Sequence, residues 1–139
     1  MKLSLLTGAL AVGALPAFAQ ELAIGLKSEA TSMDPQFHQL STNIQVHKNV
    51  FETLTAQDAV QKVGPGLASE WEAVDDTTWR FKLREGVKFH DGSDFTARDV
   101  IYSFCRVPKV ENSPSAFTIY TGGVTDIIAE DDHTVVFKT

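Results

Sequence analysis

The sequence has few of the residues that form covalent or metal cross-links. Its 139 residues include a single cysteine and four histidines. One cysteine excludes a disulfide within the chain, and the apolar context of Cys105, which follows Phe104, predicts a buried and unreactive thiol. The histidines stand in separate segments and no HExxH or CxxC motif occurs, so the sequence predicts neither a metal site nor a cofactor.

Long apolar runs are also scarce. The run from 3 to 15 is almost wholly apolar but too short for a membrane-spanning helix, which needs about 20 residues. Lys2 before this run and the small-x-small sequence AFA at 17–19 are typical of a secretory signal peptide. We therefore expect residues 1–19 to be removed by cleavage and residues 20–139 to be exported to the periplasm. No cysteine stands at the cleavage site to carry a lipid anchor.

Basic residues are outnumbered, because 12 Lys and Arg stand against 18 Asp and Glu, a formal net charge of −6. With Lys2 removed, 11 basic residues remain against 18 acidic ones, a net charge of −7. This balance argues against nucleic acid or anionic lipid as a partner. Residues 20–139 suffice for one small domain, but the sequence ends directly after the alternating segment HTVVFKT. We therefore expect a truncated, N-terminal part of a longer protein.

Alternating apolar residues predict several strands. Glu21 to Lys27 alternates as a half-buried strand does. Residues 70–84 are typical of a hairpin in which Trp79, Phe81 and Leu83 form a buried face opposite an exposed basic one. The sequence predicts a second hairpin in residues 124–139, with its turn at Asp131-Asp132.

Helical spacing and turn residues account for the segments between these strands. Residues 41–54 are predicted to form a helix capped by Ser41 or Thr42. A second helix follows Thr96, with Asp99 completing a capping box, and Pro108 ends it. We expect a turn at Gly64-Pro65-Gly66 and a loop over residues 108–123.

The sequence HDGS, which begins at His90, allows two interpretations. Asp91-Gly92 is typical of a turn, and this interpretation gives His90 no chemical role. Alternatively, His90 and Asp91 could serve a secreted hydrolase with Ser93 or Asp94 as partners. No GxSxG motif or phosphate-binding loop supports catalysis, so we expect a protein that is not an enzyme.

The order of these elements resembles a known family. The run from Leu67 to Phe104 closely resembles the signature region of solute-binding proteins, family 5, of bacterial ABC importers, which bind dipeptides, oligopeptides or nickel. The sequence SMDP at 32–35 is similar to the family's Leu-Asp-Pro motif, and NVFETL at 49–54 resembles the end of its first helix. The final hairpin also resembles the one that follows the signature. Family members are several times longer, which agrees with truncation.

The resemblance implies an α/β fold, with residues 20–139 as part of lobe I of a two-lobed periplasmic-binding-protein-like structure of the extended type II class. A mixed sheet with hairpins and flanking helices is expected. The function implied is the substrate-binding component of an ABC importer, which captures a peptide or similar small polar solute and delivers it to a permease and ATPase at the inner membrane. The full-length protein is expected to be monomeric. A chaperone-like or signalling receptor on the same scaffold is the alternative.

The resemblance also implies where the solute binds. Cleft residues of the family's first lobe come mainly from two loops, one between the Asp-Pro motif and the first helix, and one after the capped helix. Hydroxyl and amide groups there suit polar hydrogen bonds, and an aromatic ring suits apolar stacking. The candidate substrate-binding residues are Gln39, Ser41, Thr42, Asn43, Ser113, Ser115 and Phe117.

Overall fold

The computed structural model describes residues 23–139. The predicted signal peptide lies outside the described residues, as do the first two residues of the strand predicted at 21–27. The remainder of that strand is exposed and unpaired, with Ile24 72% exposed. This part of the prediction is wrong, because alternation makes a strand only where a neighbouring strand accepts its hydrogen bonds.

The described residues form six strands and three short α-helices. In chain order they are α1 (Ser41–His47), β1 (Thr55–Gln57), β2 (Val63–Pro65), β3 (Ala68–Asp75), β4 (Thr78–Leu83), α2 (Ala97–Arg106), a 3-10 turn (Val107–Lys109), α3 (Thr118–Thr121), β5 (Asp126–Asp131) and β6 (Thr134–Lys138). None of the helices in residues 23–139 has the length and apolar character of a membrane crossing.

A four-stranded antiparallel sheet with the order β3-β4-β6-β5 forms the centre of the structure. Both predicted hairpins are confirmed, and β6 pairs with β4 so that Phe81 lies opposite Val135. The second hairpin turns one residue later than predicted, at Asp132-His133. The described strands pair only in the antiparallel sense, and the parallel pairing within residues 23–139 is an isolated bridge between His38 and Ser115.

The hydrophobic core lies between one face of this sheet and α2. Leu83, Val135 and Phe137 from the sheet pack with Ala97 and Val100 from the helix. Burial of these apolar side chains is the main favourable contribution to folding.

The predicted aromatic face of β4 is only partly buried. Leu83 is buried and Phe81 packs against the core, but Trp79 is 40% exposed, so its prediction is wrong. The Leu83 N–H bonds to the His133 carbonyl, and the Ala97 N–H bonds to the neighbouring Asp132 carbonyl. These bonds place the start of α2 at the Leu83 end of β4, away from Trp79.

The capping box at the start of α2 is confirmed. The Thr96 N–H donates to Asp99 Oδ2 at 2.7 Å, and the Thr96 hydroxyl lies 3.0 Å from the same oxygen. The helix ends at Arg106, and Pro108 lies in the 3-10 turn that follows. Cys105 is exposed, so the predicted buried thiol is wrong. At 3.6 residues per turn, Cys105 lies about 140° around the helix from the buried Val100.

Three further segments differ from their predicted structure. Helix α1 ends at His47, about two turns before Leu54, and its N-cap is Leu40 without a side-chain hydrogen bond, so the predicted Ser41 or Thr42 cap is wrong. The predicted turn at Gly64-Pro65 is instead part of β2, which pairs with β1. The predicted loop over residues 108–123 contains α3.

Candidate functional site

Two loops that are distant in sequence meet near the end of α2. The bridge between His38 and Ser115 joins them, with the Gln39 N–H donating to the Ser115 carbonyl at 3.2 Å. The Ser113 hydroxyl donates to the Phe37 carbonyl at 2.6 Å, across 76 residues of chain. We call these contacts, formed by residues 37–39 and 113–115, the loop junction.

A turn at Asp34-Pro35 brings the first loop to the junction. The Phe37 N–H donates to the Asp34 carbonyl at 3.2 Å, and the Gln36 N–H donates to Asp34 Oδ1 at 3.0 Å. Proline suits the second position of such a turn because its φ is already near the required value. The local sequence therefore favours a bend at this position.

Helix α1 holds the other side of the first loop. Asn43 is fully buried; its Oδ1 accepts the Thr31 N–H and its Nδ2 donates to Thr31 Oγ1, both at 3.0 Å. His47 is also buried, with Nε2 3.0 Å from the Ser32 carbonyl. The Asn43 amide, which the resemblance assigned to solute, is thus engaged in holding the loop in this structure.

The remaining predicted site residues divide into two groups. Gln39, Ser113, Ser115 and Phe117 lie at or beside the loop junction, whereas Ser41 and Thr42 lie in the first turn of α1. Thr42 Oγ1 is buried without a hydrogen-bond partner among the described residues.

Tyr120 belongs to the same region, although sequence reasoning did not identify it. Gln39 Nε2 donates to the Tyr120 hydroxyl, and the Tyr120 ring centroid lies 6.1 Å from that of Phe117. The Tyr120 side chain is largely exposed. Tyr120 lies one helical turn after Phe117, and this spacing could have identified it. The spacing is informative only if residues 118–121 are known to be helical, and the sequence predicted a loop there.

Arg106 is a second residue that sequence reasoning missed. Its Nη1 donates to Asp34 Oδ1 and to Gln36 Oε1, both at 2.9 Å, and its Nη2 contacts Asp34 Oδ2. Gln36 Nε2 in turn donates to the Ser103 carbonyl at 2.8 Å. The sequence showed only a basic residue near a helix end, which is common because the helix dipole favours it there.

The charges of this pair stabilise each other. The hydrogen bond from Arg106 lowers the pKa of the Asp34 carboxyl, desolvation opposes this effect, and the Gln36 N–H assists it. The same hydrogen bond raises the pKa of the Arg106 guanidinium. Asp34 is therefore ionised and Arg106 protonated throughout the neutral range.

The His90-Asp91 segment is an exposed turn, as predicted. Gly92 has φ of +88°, and Asp91 Oδ1 accepts the Ser93 N–H at 2.9 Å and the Ser93 hydroxyl at 2.7 Å. Ser93 thus donates directly to Asp91, whereas a hydrolytic triad would place the imidazole between them. The geometry gives the hydrolase hypothesis no support. Within residues 23–139, no three His, Cys, Asp or Glu side chains are grouped as metal ligands.

Comparison with known proteins identifies the family. The model of the bacterial extracellular solute-binding proteins, family 5 Middle, matches residues 62–139. The murein peptide-binding protein MppA of Escherichia coli is 35% identical over 82% of this chain and 21% of its own length. The oligopeptide-binding protein OppA of Salmonella typhimurium is 35% identical over 73% of this chain and 20% of its own length.

A solved structure supports the same assignment. The Escherichia coli murein tripeptide binding protein MppA superposes with a TM-score of 0.73 and 31% identity, over 81% of this chain and 25% of that one. This likeness confirms the expected α/β periplasmic-binding-protein fold, of which the described residues form a part. The chain spans about a fifth of the length of the two curated relatives. The chain belongs to the bacterial extracellular solute-binding proteins, family 5.

Proposed function

We propose that the complete gene product is the periplasmic substrate-binding component of an ABC importer, and that it captures a peptide or similar small polar solute. Residues 20–139 would supply part of the first of two lobes. The relatives named as murein peptide-binding and oligopeptide-binding proteins support this class of solute. The loop junction is the observation that carries the proposal for the site.

Groups suited to a peptide on and beside the loop junction support this proposal. Gln39 and Tyr120 offer an amide and a hydroxyl, which can pair with peptide N–H and carbonyl groups. The ring of Phe117 lies beside them and offers apolar contact to a side chain. A few polar groups on an otherwise apolar wall are typical of small-molecule sites.

Ser41, Thr42, Ser113 and Ser115 extend the proposed site toward the start of α1 and along the second loop. The Thr42 hydroxyl is buried in the first turn of α1 and has no hydrogen-bond partner among the described residues. Asn43 would contribute indirectly, because its amide already bonds to Thr31.

The location and partners follow from the same proposal. Residues 1–19 would act as a cleaved signal peptide that directs export to the periplasm. The loaded, monomeric protein would then deliver its solute to a permease and ATPase complex at the inner membrane. The acidic balance of the chain, 18 Asp and Glu against 12 Lys and Arg, is unfavourable for binding to nucleic acid.

The proposal is tested by calorimetric titration of the complete gene product with tri-alanine, tri-lysine, tri-glutamate and tetra-alanine. We expect binding of at least one peptide. For that peptide, Gln39→Ala or Phe117→Ala should weaken affinity by roughly 5- to 30-fold, equivalent to about 1–2 kcal/mol for a lost hydrogen bond or ring contact.

Gln57→Ala is the matched control, because Gln57 is an exposed glutamine on β1 outside the loop junction. It should leave affinity unchanged. Failure of all four peptides to bind would contradict the proposed solute class. Binding that is equally strong in all three variants would instead move the site away from the loop junction.

A further inference from the structure

Arg106 links the first loop of the junction to the helix that precedes the second loop. Arg106 is the last residue of α2, so the chain that continues from it leads to Ser113 and Ser115. Its guanidinium bonds to Asp34 and Gln36, which precede His38 and Gln39 in the first loop. One side chain therefore connects the base of both loops.

We propose that Arg106 is a positioning residue for solute binding: it holds the first loop in register with the second without contacting the solute. This inference rests on the proposed function of the loop junction. It assigns Arg106 a role in affinity and not only in folding.

The geometry of the contact fits a positioning role. Arg106 holds both carboxylate oxygens of Asp34 and also the side-chain oxygen of Gln36. A planar guanidinium can make such bonds together, whereas a lysine ammonium acts as a single point charge. Gln36 is fixed a second time by its bond to the Ser103 carbonyl, one turn earlier on α2.

The distance along the chain between this contact and the junction is short. Only Phe37 separates Gln36 from His38, and the carbonyl of Phe37 itself accepts the Ser113 hydroxyl. A displacement of Gln36 must therefore move the backbone that bonds to Ser113 and Ser115. Gln39, the first residue proposed to contact solute, lies three positions after Gln36.

The surroundings of the pair limit its contribution to overall stability. The Arg106 side chain is 36% exposed and that of Asp34 27% exposed, so water screens their attraction. Loss of the contact should loosen the loop more than it destabilises the protein. If the ordered loop falls to a tenth of the population, the apparent Kd rises about tenfold.

The test compares Arg106→Gln with Arg98→Gln in the complete gene product. Arg98 lies on the same helix and is exposed, so its replacement removes the same charge. Hydrogen–deuterium exchange is measured over residues 34–41, together with the Kd for the peptide that the wild-type protein binds among tri-alanine, tri-lysine, tri-glutamate and tetra-alanine. We expect Arg106→Gln to increase exchange in this segment and to raise Kd by about tenfold, with the melting temperature close to that of the control.

The exchange measurement needs no ligand, so it separates this inference from the proposed function. If the wild-type protein binds none of the peptides, the proposed function fails, while faster exchange over residues 34–41 in Arg106→Gln still supports loop positioning. Exchange or Kd equal to that of Arg98→Gln would overturn the inference. Should Arg106→Gln not fold, Arg106→Lys provides the same comparison, because it retains the charge but not the forked contact.

Discussion

At the scale of single residues, aspartates of the same chemistry have different roles according to their partners. Asp75, Asp91 and Asp131 each accept hydrogen bonds from the residue two places later, which lowers their pKa and closes a turn. Asp34 also closes a turn, but its strongest partner is Arg106, 72 residues away. The turns can be predicted from neighbouring residues, whereas the long-range pair cannot.

The pKa of Asp34 leads to a prediction about pH. Because folding lowers this pKa below its ordinary value of 3.8, the stabilisation is fully present above that value and is lost as pH falls toward the lowered, folded-state pKa. Asp34→Asn should therefore cost about 0.5–1 kcal/mol of unfolding free energy at neutral pH, a small amount because the pair is partly exposed and screened by water. The difference in unfolding free energy between wild type and Asp34→Asn should become smaller in acid.

Urea unfolding of the complete gene product at pH 7 and at decreasing acidic pH provides the measurement. Asp76→Asn is the control, because Asp76 is exposed in the turn between β3 and β4. If the unfolding free energies of wild type and Asp34→Asn differ by the same amount even in strong acid, the carboxylate charge is not the source of the stabilisation.

At the scale of elements, β2 shows why a glycine- and proline-rich segment was misinterpreted. Gly64 and Pro65 favour turns in isolation, but pairing of β2 with β1 extends this backbone. Gly66 is required for a different reason: its backbone lies so close to the carbonyls of Thr53 and Leu54 that a Cβ would have no room. Glycine is therefore required at position 66 by the neighbouring backbone of Thr53 and Leu54, and not by a turn.

This close approach predicts different effects for two glycines in the same segment. A Cβ added at Gly66 would overlap the Thr53 carbonyl oxygen and lie 3.0 Å from that of Leu54, whereas one at Gly64 would have no heavy atom within 4 Å. Gly66→Ala should destabilise the protein by about 1–3 kcal/mol. Gly64→Ala should change stability by less than about 0.5 kcal/mol.

Thermal and urea unfolding of the two variants, compared with wild type, measure this difference. The two substitutions add the same methyl group two residues apart, so propensity effects largely cancel. Equal stability of the two variants would mean that the backbone at Gly66 can move away from Thr53 at little cost.

At the scale of the whole molecule, stability of the described residues depends on how α2 covers the sheet. Phe104 from α2 packs against Phe137 from β6 with ring centroids 4.9 Å apart, and Val135 is fully buried on the same strand. The sheet order places β6 between β4 and β5, so its side chains lie at the centre of the core. Three consecutive residues of β6, Val135 to Phe137, are buried.

The same substitution at two valines tests whether the core is centred on β6. Val135→Ala removes two methyl groups from a fully buried site and should cost about 2–3 kcal/mol, through lost burial and the cavity left behind. Val63→Ala, at a valine that is 48% exposed on β2, should cost less than about 1 kcal/mol. Urea unfolding followed by circular dichroism measures both, and similar losses would contradict a core centred on β6.

The sequence by itself determined the features that depend on residues close together in the chain. These were the two hairpins, the capping box of Thr96 and Asp99, the turn at Asp91-Gly92 and the signature that resembles the family. Each arises from periodicity, a side-chain bond or a backbone preference within a few residues, so neighbouring residues suffice to predict it.

The tertiary structure alone decided the features that depend on distant partners. These include the exposure of Trp79 and Cys105, the pairing of β2, the engagement of Asn43 with Thr31, and the contacts of Arg106 with the first loop. The resemblance to the family indicated both loops of the candidate site. The hydrogen bonds between these loops were not predicted. The physical reason is that these contacts join segments up to 81 residues apart, so residues close together in the chain do not determine them.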